Sequence, residues 1–263
     1  MDYIICVKQV PDTKEIQQDE ETGSLVRDSA GSKPNPDDYR AIEACLQMRE
    51  KSPGNIKAIT MGPKQARASL RNALVLGVDE AYHMMDKRFS GADVLATAYT
   101  LALGIKKIGL PDIIFCGNQS IDGDTGQVAA ELAEFLSYTH VYYITEILDI
   151  NDNEITVISN MGNYMDKIRV RLPVVLSIDS NSFNPRVSSF KDKMLAQKKP
   201  IEIIKLDDLE ENDENNFGYR GSATRVRKMF VPIITRNGEM LNNSTEENVD
   251  VLLEHLMEWE KEP

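Results

Sequence analysis

Long apolar runs are missing from this chain: no stretch approaches the ~18 consecutive apolar residues of a membrane helix, so no membrane insertion is expected. The opening residues, Met1-Asp-Tyr-Ile-Ile-Cys-Val7, lack the basic start and small-residue cleavage site of a secretory signal, and a cytoplasmic location is expected. Cysteine is scarce. Cys6, Cys45 and Cys116 are odd in number and far apart, as suits buried thiols in a reducing compartment. With no C-x-x-C, the chain cannot by itself hold a four-cysteine iron–sulfur cluster. Its histidines, His83, His140 and His255, have no metal-like spacing, and no metal site is expected. A surplus of positive charge is also lacking. Against 30 Lys and Arg stand 42 Asp and Glu, a net charge of −12 that repels nucleic acid and anionic membranes. No Walker A loop, G-x-G-x-x-G or G-x-S-x-G occurs, and no side-chain nucleophile or general base is expected.

What is present is an ordinary soluble composition over 263 residues, with 41% hydrophobic and 27% charged residues. That length suits one α/β domain with an appendage or two small domains. One stretch stands out. Asp112 to Cys116 is a short apolar run of strand type, and Val128, Leu132, Phe135 and Leu136 recur at helical spacing. Between them lies Gly117-Asn-Gln-Ser-Ile-Asp-Gly-Asp-Thr-Gly126. Strand, glycine-rich turn and helix is how a parallel sheet offers backbone N–H groups to a phosphate. Asp124 or Thr125 is expected to cap the helix, and Thr125 can donate its hydroxyl to a phosphate. The same spacing also fits a capped helix after a tight turn, with no ligand. Asp122 and Asp124 would repel a phosphate if both pointed inward, so at least one should face solvent or cap an N–H. A helix terminus contributes only ~0.3–1 kcal/mol per nearby charge, whereas micromolar binding needs ~8 kcal/mol. Other loops must therefore join this one.

The first ~140 residues alternate strand and helix four times, which predicts a parallel sheet covered on both faces. Strands are expected at 3–7, 56–61, 79–85 and 112–116. Helices are expected behind Asn35-Pro36, after Gly62-Pro63 as far as Gly77, from Val94 to Gly109, and after Gly126. The polar residues up to Lys33 read as a loop or short hairpin. The loops Val7–Thr13, Thr60–Pro63, Met85–Gly91 and Gly117–Gln127 all follow strands and converge at one end of the sheet. From His140 the pattern changes. Val141–Ile150, Glu154–Asn160, Tyr164–Arg171 and Val174–Ser177 read as strands added antiparallel, with turns at Asn151-Asp-Asn153 and Met161-Gly-Asn163. Residues 184–199 carry Arg186, Lys191, Lys193, Lys198 and Lys199 around Phe190 and Met194. In so acidic a chain this is a solvated helix or a docking patch for an acidic partner. Ile201–Leu206 is one more strand, and the acidic Asp207–Asn216 reads as a linker or exposed loop. Ser244–Glu260 closes as a helix with an apolar face of Val249, Leu252, Leu253, Leu256 and Trp259 that must bury against something.

Along nearly its whole length the chain resembles the beta (small) subunit of electron transfer flavoproteins. The matching stretches are Val7-Lys-Gln-Val-Pro-Asp-Thr13, Asn35-Pro36, Met61-Gly-Pro63, Leu70-Arg-Asn-Ala-Leu-Val-Leu-Gly77, Gly117 to Gln127, Val170-Arg-Leu-Pro-Val-Val175 and Asn184-Pro-Arg186. The resemblance implies a Rossmann-like α/β fold with added antiparallel strands. It divides the chain into a nucleotide-binding domain, 1–200, and a C-terminal arm, 201–263, that packs on a flavin-carrying alpha subunit. Within the family, one branch holds a structural AMP. The other holds a second FAD and splits electron pairs from NADH. Asp122-Gly-Asp-Thr-Gly-Gln127, Asp86-Lys-Arg-Phe-Ser-Gly-Ala-Asp-Val94 and Gly221-Ser-Ala-Thr-Arg-Val-Arg-Lys-Met-Phe230 resemble the second branch.

In that case FAD takes a hydride from NAD(H) and sends one electron to ferredoxin or flavodoxin. The other passes through the alpha subunit to a dehydrogenase of acyl-CoA or 2-hydroxy acid type. The residues expected at the cofactor are Val7, Lys8, Gln9, Asn35, Thr60 and Met61, then Gly117, Asn118, Gln119 and Asp122, and Gly123, Asp124, Thr125, Gly126, Gln127 and Val128. The amides of 123–127 are expected on the diphosphate, and residues 86–91 on the nicotinamide side. By the same resemblance 184–199 is the loop that grips the dehydrogenase, through Arg186, Phe190, Lys191 and Met194. AMP in place of FAD is the alternative. An ATP-dependent ligase or nucleotide sensor is a third reading, but the glycine loop has no lysine to support it.

Overall fold

A computed structural model describes residues 1–12, 17–18, 25–26, 31–225, 238, 240–242 and 244–259. Thr13 and residues 226–230, which belong to two of the family-like stretches, lie outside the described residues. In chain order the strands are β1 (Asp2–Cys6), β2 (Gln9–Pro11), β3 (Gln17–Gln18), β4 (Leu25–Val26), β5 (Ser32–Pro34), β6 (Asn55–Met61), β7 (Glu80–Met84), β8 (Ile113–Gly117), β9 (Thr139–Ile150), β10 (Glu154–Asn160), β11 (Met165–Arg171), β12 (Val174–Ile178) and β13 (Glu202–Ile204). The helices are α1 (Pro36–Lys51), α2 (Arg67–Leu76), α3 (Val94–Ile108), α4 (Val128–Leu136), α5 (Phe190–Lys198), α6 (Gly218–Gly221) and α7 (Thr245–Trp259).

The main sheet runs β11-β10-β9-β12-β8-β1-β6-β7-β13. From β9 through β13 every neighbouring pair is parallel. Period-two alternation sorts the side chains between two layers. Tyr3, Ile5, Phe115 and Leu176 face α1 and α2, packing on Ile42, Cys45, Leu46, Leu70 and Leu74. Ile4, Ile114 and Val175 face α3 and α4, packing on Ala98, Leu101, Ile105, Leu132 and Ala133. Helix ends follow local chemistry. The Asp93 side chain accepts from the Ala96 amide at 3.0 Å and caps α3. At the end of α2, Gly77 takes φ +120°, a conformation that disfavours a Cβ.

One expectation is corrected. Val174–Ser177 is not an antiparallel addition. As β12 it lies parallel between β8 and β9, with all five residues buried, and the antiparallel pairs of the main sheet are β9–β10 and β10–β11. An unbroken apolar run is what a strand covered on both faces requires. Asp207–Asn216 is exposed as expected apart from Leu209, which is buried together with Leu206 and Phe217 on either side. The Phe217 ring lies 5.7 Å from Phe89 and 5.5 Å from Tyr99. The acidic side chains point outward from these apolar anchors, and Arg88 reaches Asp207 at 2.9 Å. The segment before α1 does form a hairpin, β3 pairing antiparallel with β4.

Residues 1–228 form one compact unit and 229–263 a second. The sequence reading divides the chain at residue 200. The first unit extends past that point because β13 pairs with β7 in the main sheet. In the second unit α7 carries exposed Val249, Leu252, Leu253, Leu256 and Trp259. No helix among the described residues is long and apolar enough to cross a membrane.

Candidate nucleotide site

The carboxyl ends of β1, β8 and β12 meet the first turn of α1, and three side chains there tie the loops together. Asn35 is the backbone N-cap of α1 with Pro36 behind it, but its side chain caps nothing. Instead its Nδ2 donates to Gln119 O at 2.8 Å and to Asp38 Oδ1 at 2.8 Å. Asp38 Oδ2 accepts the Lys8 amide at 2.6 Å. Asp37 Oδ2 accepts the Ser180 hydroxyl at 2.8 Å and, more weakly, the Gln119 amide at 3.4 Å. Asn35, Asp37 and Asp38 are all buried. The helix can come this close to β8 only because residue 117 is glycine. A Cβ there would lie 2.6 Å from Asp38 Oδ1. Burial is the main reason the Asp38 carboxyl is pushed up to about 7, against the opposing effects of Asn35 and the Lys8 amide.

The glycine loop itself differs from expectation in two ways. The amides of Gly123 and Asp124 close a turn onto Ser120 O, at 3.3 and 2.8 Å, and are not free for a ligand. Neither Asp124 nor Thr125 caps α4, whose N-cap is Gln127 and has no side-chain cap. The reason is Gly126. Its φ of +63° turns the chain between Thr125 and the helix, leaving both candidate caps too far upstream. No described residue accepts a hydrogen bond from the amides of Thr125, Gly126, Gln127, Val128, Ala129 or Ala130. Open first-turn amides and the positive end of a helix dipole favour an anion. The donor set therefore sits two residues later than the sequence suggests.

Asp122 does not face this ledge uncompensated. Its Oδ1 lies 2.7 Å from Lys8 Nζ, which also reaches Ser120 Oγ at 3.1 Å. Burial works to raise the Asp122 carboxyl, but the Lys8 bond and charge prevail and hold it below its usual range. Asp124 is exposed at φ +54°.

At the end of β6, Thr60 is 1% exposed and its hydroxyl has no partner, a buried polar atom left open beside the loops. Val7 joins the same edge by donating its amide to Ile59 O at 2.9 Å, and Met61 is half-buried. Gln9 turns away, its side chain bonded to Ser69 and, at 3.0 Å, to Ser32. Asn118 lies against Gly126, where a Cβ would meet its carbonyl at 3.5 Å. Thus Lys8, Asn35, Gln119 and Asp122 are laced together, while Gln9 belongs to the packing of α2. Sequence reading missed Asp37, Asp38 and Ser180. Two consecutive acids directly after Asn-Pro, at a position that folds under a loop, were the available signal.

The site is an open ledge. Hollows of about 330 and 360 Å3 lie elsewhere, one beside His140, Tyr142 and Ser159, the other beside Tyr82, Lys107 and Glu202. Residues 86–91 are drawn into the fold: Phe89 is buried, and Arg88 pairs with Asp86, Asp207 and Glu214. Cys6 and Cys116 are free thiols, and the buried Cys116 thiol is pushed well up by its hydrogen bond to Cys6 and by burial.

In the 184–199 segment, Arg186 is engaged within the chain. Its Nε and Nη2 grip Glu43 at 2.7 and 3.0 Å, and Nη2 reaches Glu50 at 3.0 Å. Arg186 thus anchors the segment on α1. A capping box between Ser189 and Asp192 starts α5. Only Ala196 of that helix is buried. Val187 is 96% exposed and Phe190 79%, with Met194 and Leu195 also exposed among the lysines.

The sequence profile of the electron transfer flavoprotein domain matches residues 22–209. The electron transfer flavoprotein subunit beta of Thermoanaerobacterium thermosaccharolyticum is 40% identical over 257 residues, covering 97% of this chain and 98% of that protein. The caffeyl-CoA reductase-Etf complex subunit CarD of Acetobacterium woodii is 39% identical over 246 residues, 93% of each chain. The acryloyl-CoA reductase electron transfer subunit gamma of Anaerotignum propionicum is 33% identical over 264 residues, 98% of each chain. With its parallel sheet, its laced loops and its full-length kinship to such subunits, the chain belongs to the electron transfer flavoprotein family, as a beta subunit.

Proposed function

We propose that this chain is the FAD-holding beta subunit of an electron-bifurcating electron transfer flavoprotein. The observation that carries the reading is the row of open amides from Thr125 to Ala130, reached across a loop of small residues. The residues present suit a dinucleotide. Those amides and the Thr125 hydroxyl would hold the diphosphate, Lys8 would keep the neighbouring Asp122 compensated, and the open Thr60 hydroxyl, Val7 and Met61 would line the adenosine end. A bound FAD supplies both two-electron and one-electron chemistry: hydride acceptance from NADH, then one electron to ferredoxin or flavodoxin and one, through the alpha-subunit FAD, to a dehydrogenase. The chain's own work is binding and orientation. Because the ledge is open, the alpha subunit supplies its remaining wall, and the second compact unit with α7 packs on that subunit. The exposed Phe190, Met194 and Lys191 dock the dehydrogenase. Two relatives named for acyl-CoA reductases favour an acyl-CoA enzyme there.

Extraction and chromatography of the cofactors from the purified heterodimer test this. Two FAD per heterodimer are expected; one FAD with one AMP refutes the bifurcating reading and leaves a structural nucleotide. Truncation after residue 228 is expected to abolish co-purification with the alpha subunit.

A further inference from the structure

The first turn of α4 carries an open acceptor as well as open donors. Glu131 follows directly on the open amides, and its own amide is taken by Gln127 O at 3.1 Å. Its side chain is less well served. Oε2 is shut away from solvent, and no described residue donates a hydrogen bond to it. An enclosed acceptor without a donor is costly, and a stable fold avoids it unless something else fills the place. Two observations locate this oxygen. Helical side chains lean toward the N-terminus, so a carboxyl in the first turn stands over the mouth that bears the open amides. Burial, and then the charge of Asp93, raise the Glu131 carboxyl, and Asp93 is the cap of the neighbouring α3. Both acids therefore lie where the two helices begin. Asp93 has no hydrogen to offer. Its oxygens accept from Ala96 N at 3.0 Å, Thr224 N at 2.7 Å and Thr224 Oγ1 at 2.9 Å. Burial works against the Asp93 carboxylate, but those bonds hold it below its usual range.

The missing donor is external. Phosphate oxygens only accept, so the diphosphate itself cannot satisfy Glu131. A hydroxyl carried by the ligand next to its phosphate can. The two faces of the sheet decide which hydroxyl. Val7 belongs to the α1–α2 layer, as does Ala58, two residues before Thr60, so the adenosine end lies on that side. α4 packs with α3 on the other face, through Leu132 and Ala133 against Ala98 and Leu101. A dinucleotide whose bridge sits at the start of α4 brings its second half to this face, and in FAD that half begins with the ribityl chain. We propose that Glu131 is a specificity-determining residue of the dinucleotide site: its enclosed Oε2 accepts a ribityl hydroxyl of FAD. The proposal rests on the nucleotide reading given above and deepens it. ADP has the same adenosine and diphosphate but no such chain, so the contact selects a flavin dinucleotide over adenine nucleotides. Ionised or neutral, the carboxyl keeps an acceptor oxygen, and no covalent bond forms or breaks.

The test uses the heterodimer stripped of its beta-site nucleotide. Calorimetry measures the Kd of FAD, of ADP and of FAD analogues lacking each ribityl hydroxyl in turn. In wild type at least one analogue should bind about tenfold more weakly than FAD, the weight of one hydrogen bond to a charged acceptor. In Glu131→Ala, FAD should weaken by the same factor, that analogue should lose nothing further, and ADP should not weaken. Glu131→Gln keeps a carbonyl oxygen and should keep the preference for FAD over the analogue. A general loss of packing would weaken FAD and ADP alike and would leave the analogue's penalty in place. Either of those results, unchanged FAD affinity in E131A, or analogues that all match FAD in wild type, overturns the contact while leaving the nucleotide site standing. A wild type that binds neither FAD nor ADP overturns the site reading and this proposal together. Should E131A not fold, Glu131→Asp, whose carboxyl is drawn back by one carbon, takes its place. Loss of the analogue's penalty in E131D supports the proposal, and a retained penalty refutes it.

Discussion

Gly117→Ala adds one carbon at the tightest contact beneath the glycine loop. The new Cβ would stand 2.6 Å from Asp38 Oδ1 and 2.9 Å from the Asp37 carbonyl carbon and Cβ. Comfortable contact between such atoms is ~3.5–4.0 Å, and neither helix backbone nor anchored carboxylate can swing aside freely. Either α1 lifts from β8 or Asp38 releases the Lys8 amide. Overpacking of this kind costs about 1–3 kcal/mol, and a lost hydrogen bond to a charged group about 1.5–3 kcal/mol. As one response relieves the other, a loss of about 3 kcal/mol is expected. With m near ~3 kcal/mol/M, that lowers the urea midpoint by about 1 M. Two neighbours serve as internal controls. Gly123→Ala meets its nearest atom at 3.7 Å, so a change within about 0.5 kcal/mol is expected. Gly126→Ala must hold φ +63° and should lose about 1 kcal/mol. Cofactor content should fall in G117A, because Gln119 and Ile121 are positioned from the same anchors. A G117A chain as stable as wild type, or a costlier G123A, would refute the account of why α1 and the loop fit together.

Arg186→Ala strands Glu43, whose side chain is 6% exposed; allowing for the half-open guanidinium, about 1–3 kcal/mol should be lost in urea unfolding. Burial tends to raise the Glu43 carboxyl, but the Arg186 bonds and charge outweigh it and hold the group below its usual value. The pair's contribution is therefore full above the ordinary carboxylate range and lost as pH falls through the depressed value, so wild type and R186A should converge in stability in acid. Thr125→Asp places a carboxylate beside the open α4 amides, and extracted beta-site nucleotide should disappear while alpha-subunit flavin remains; unchanged content would displace the diphosphate from this ledge. Phe190→Ala should leave the urea midpoint unchanged, since the ring is 79% exposed, yet lower kcat/KM for dehydrogenase reduction by roughly tenfold, the weight of one interface anchor.

Much of the architecture was legible because it rests on local signals. The helical stripe of α3, the Asn35-Pro36 start of α1 and the Gly77 stop of α2 appear in the fold where their chemistry places them. Strand partners were not legible in the same way. Val174–Ser177 follows three strands joined by short connections and reads as a fourth, although the two-sided burial of β12 assigns it to the centre. The glycine loop was legible as the connection between β8 and α4, but its hydrogen bonds were not. Whether an amide is open depends on where its chain turns, and a single positive φ at Gly126 moved the open donors toward α4. Arg186 looked like a free docking charge because Glu43, 143 residues earlier, cannot be paired with it by spacing. Asp37 and Asp38 were passed over in the sequence, and only the approach of β8 reveals them as buried.

The placement of β12 has a consequence for how the molecule is made. β8 and β9 follow one another in sequence yet never touch; they are joined only through residues 174–178. A nascent chain that has emerged only as far as β11 therefore carries two raw strand edges, both flanked by apolar side chains. The amino-terminal strands and the β9–β11 meander must wait as separate pieces until the last central strand leaves the ribosome and zips them together. That late closure makes the interval just before residue 178 the period when synthesis is most exposed to mispairing between copies.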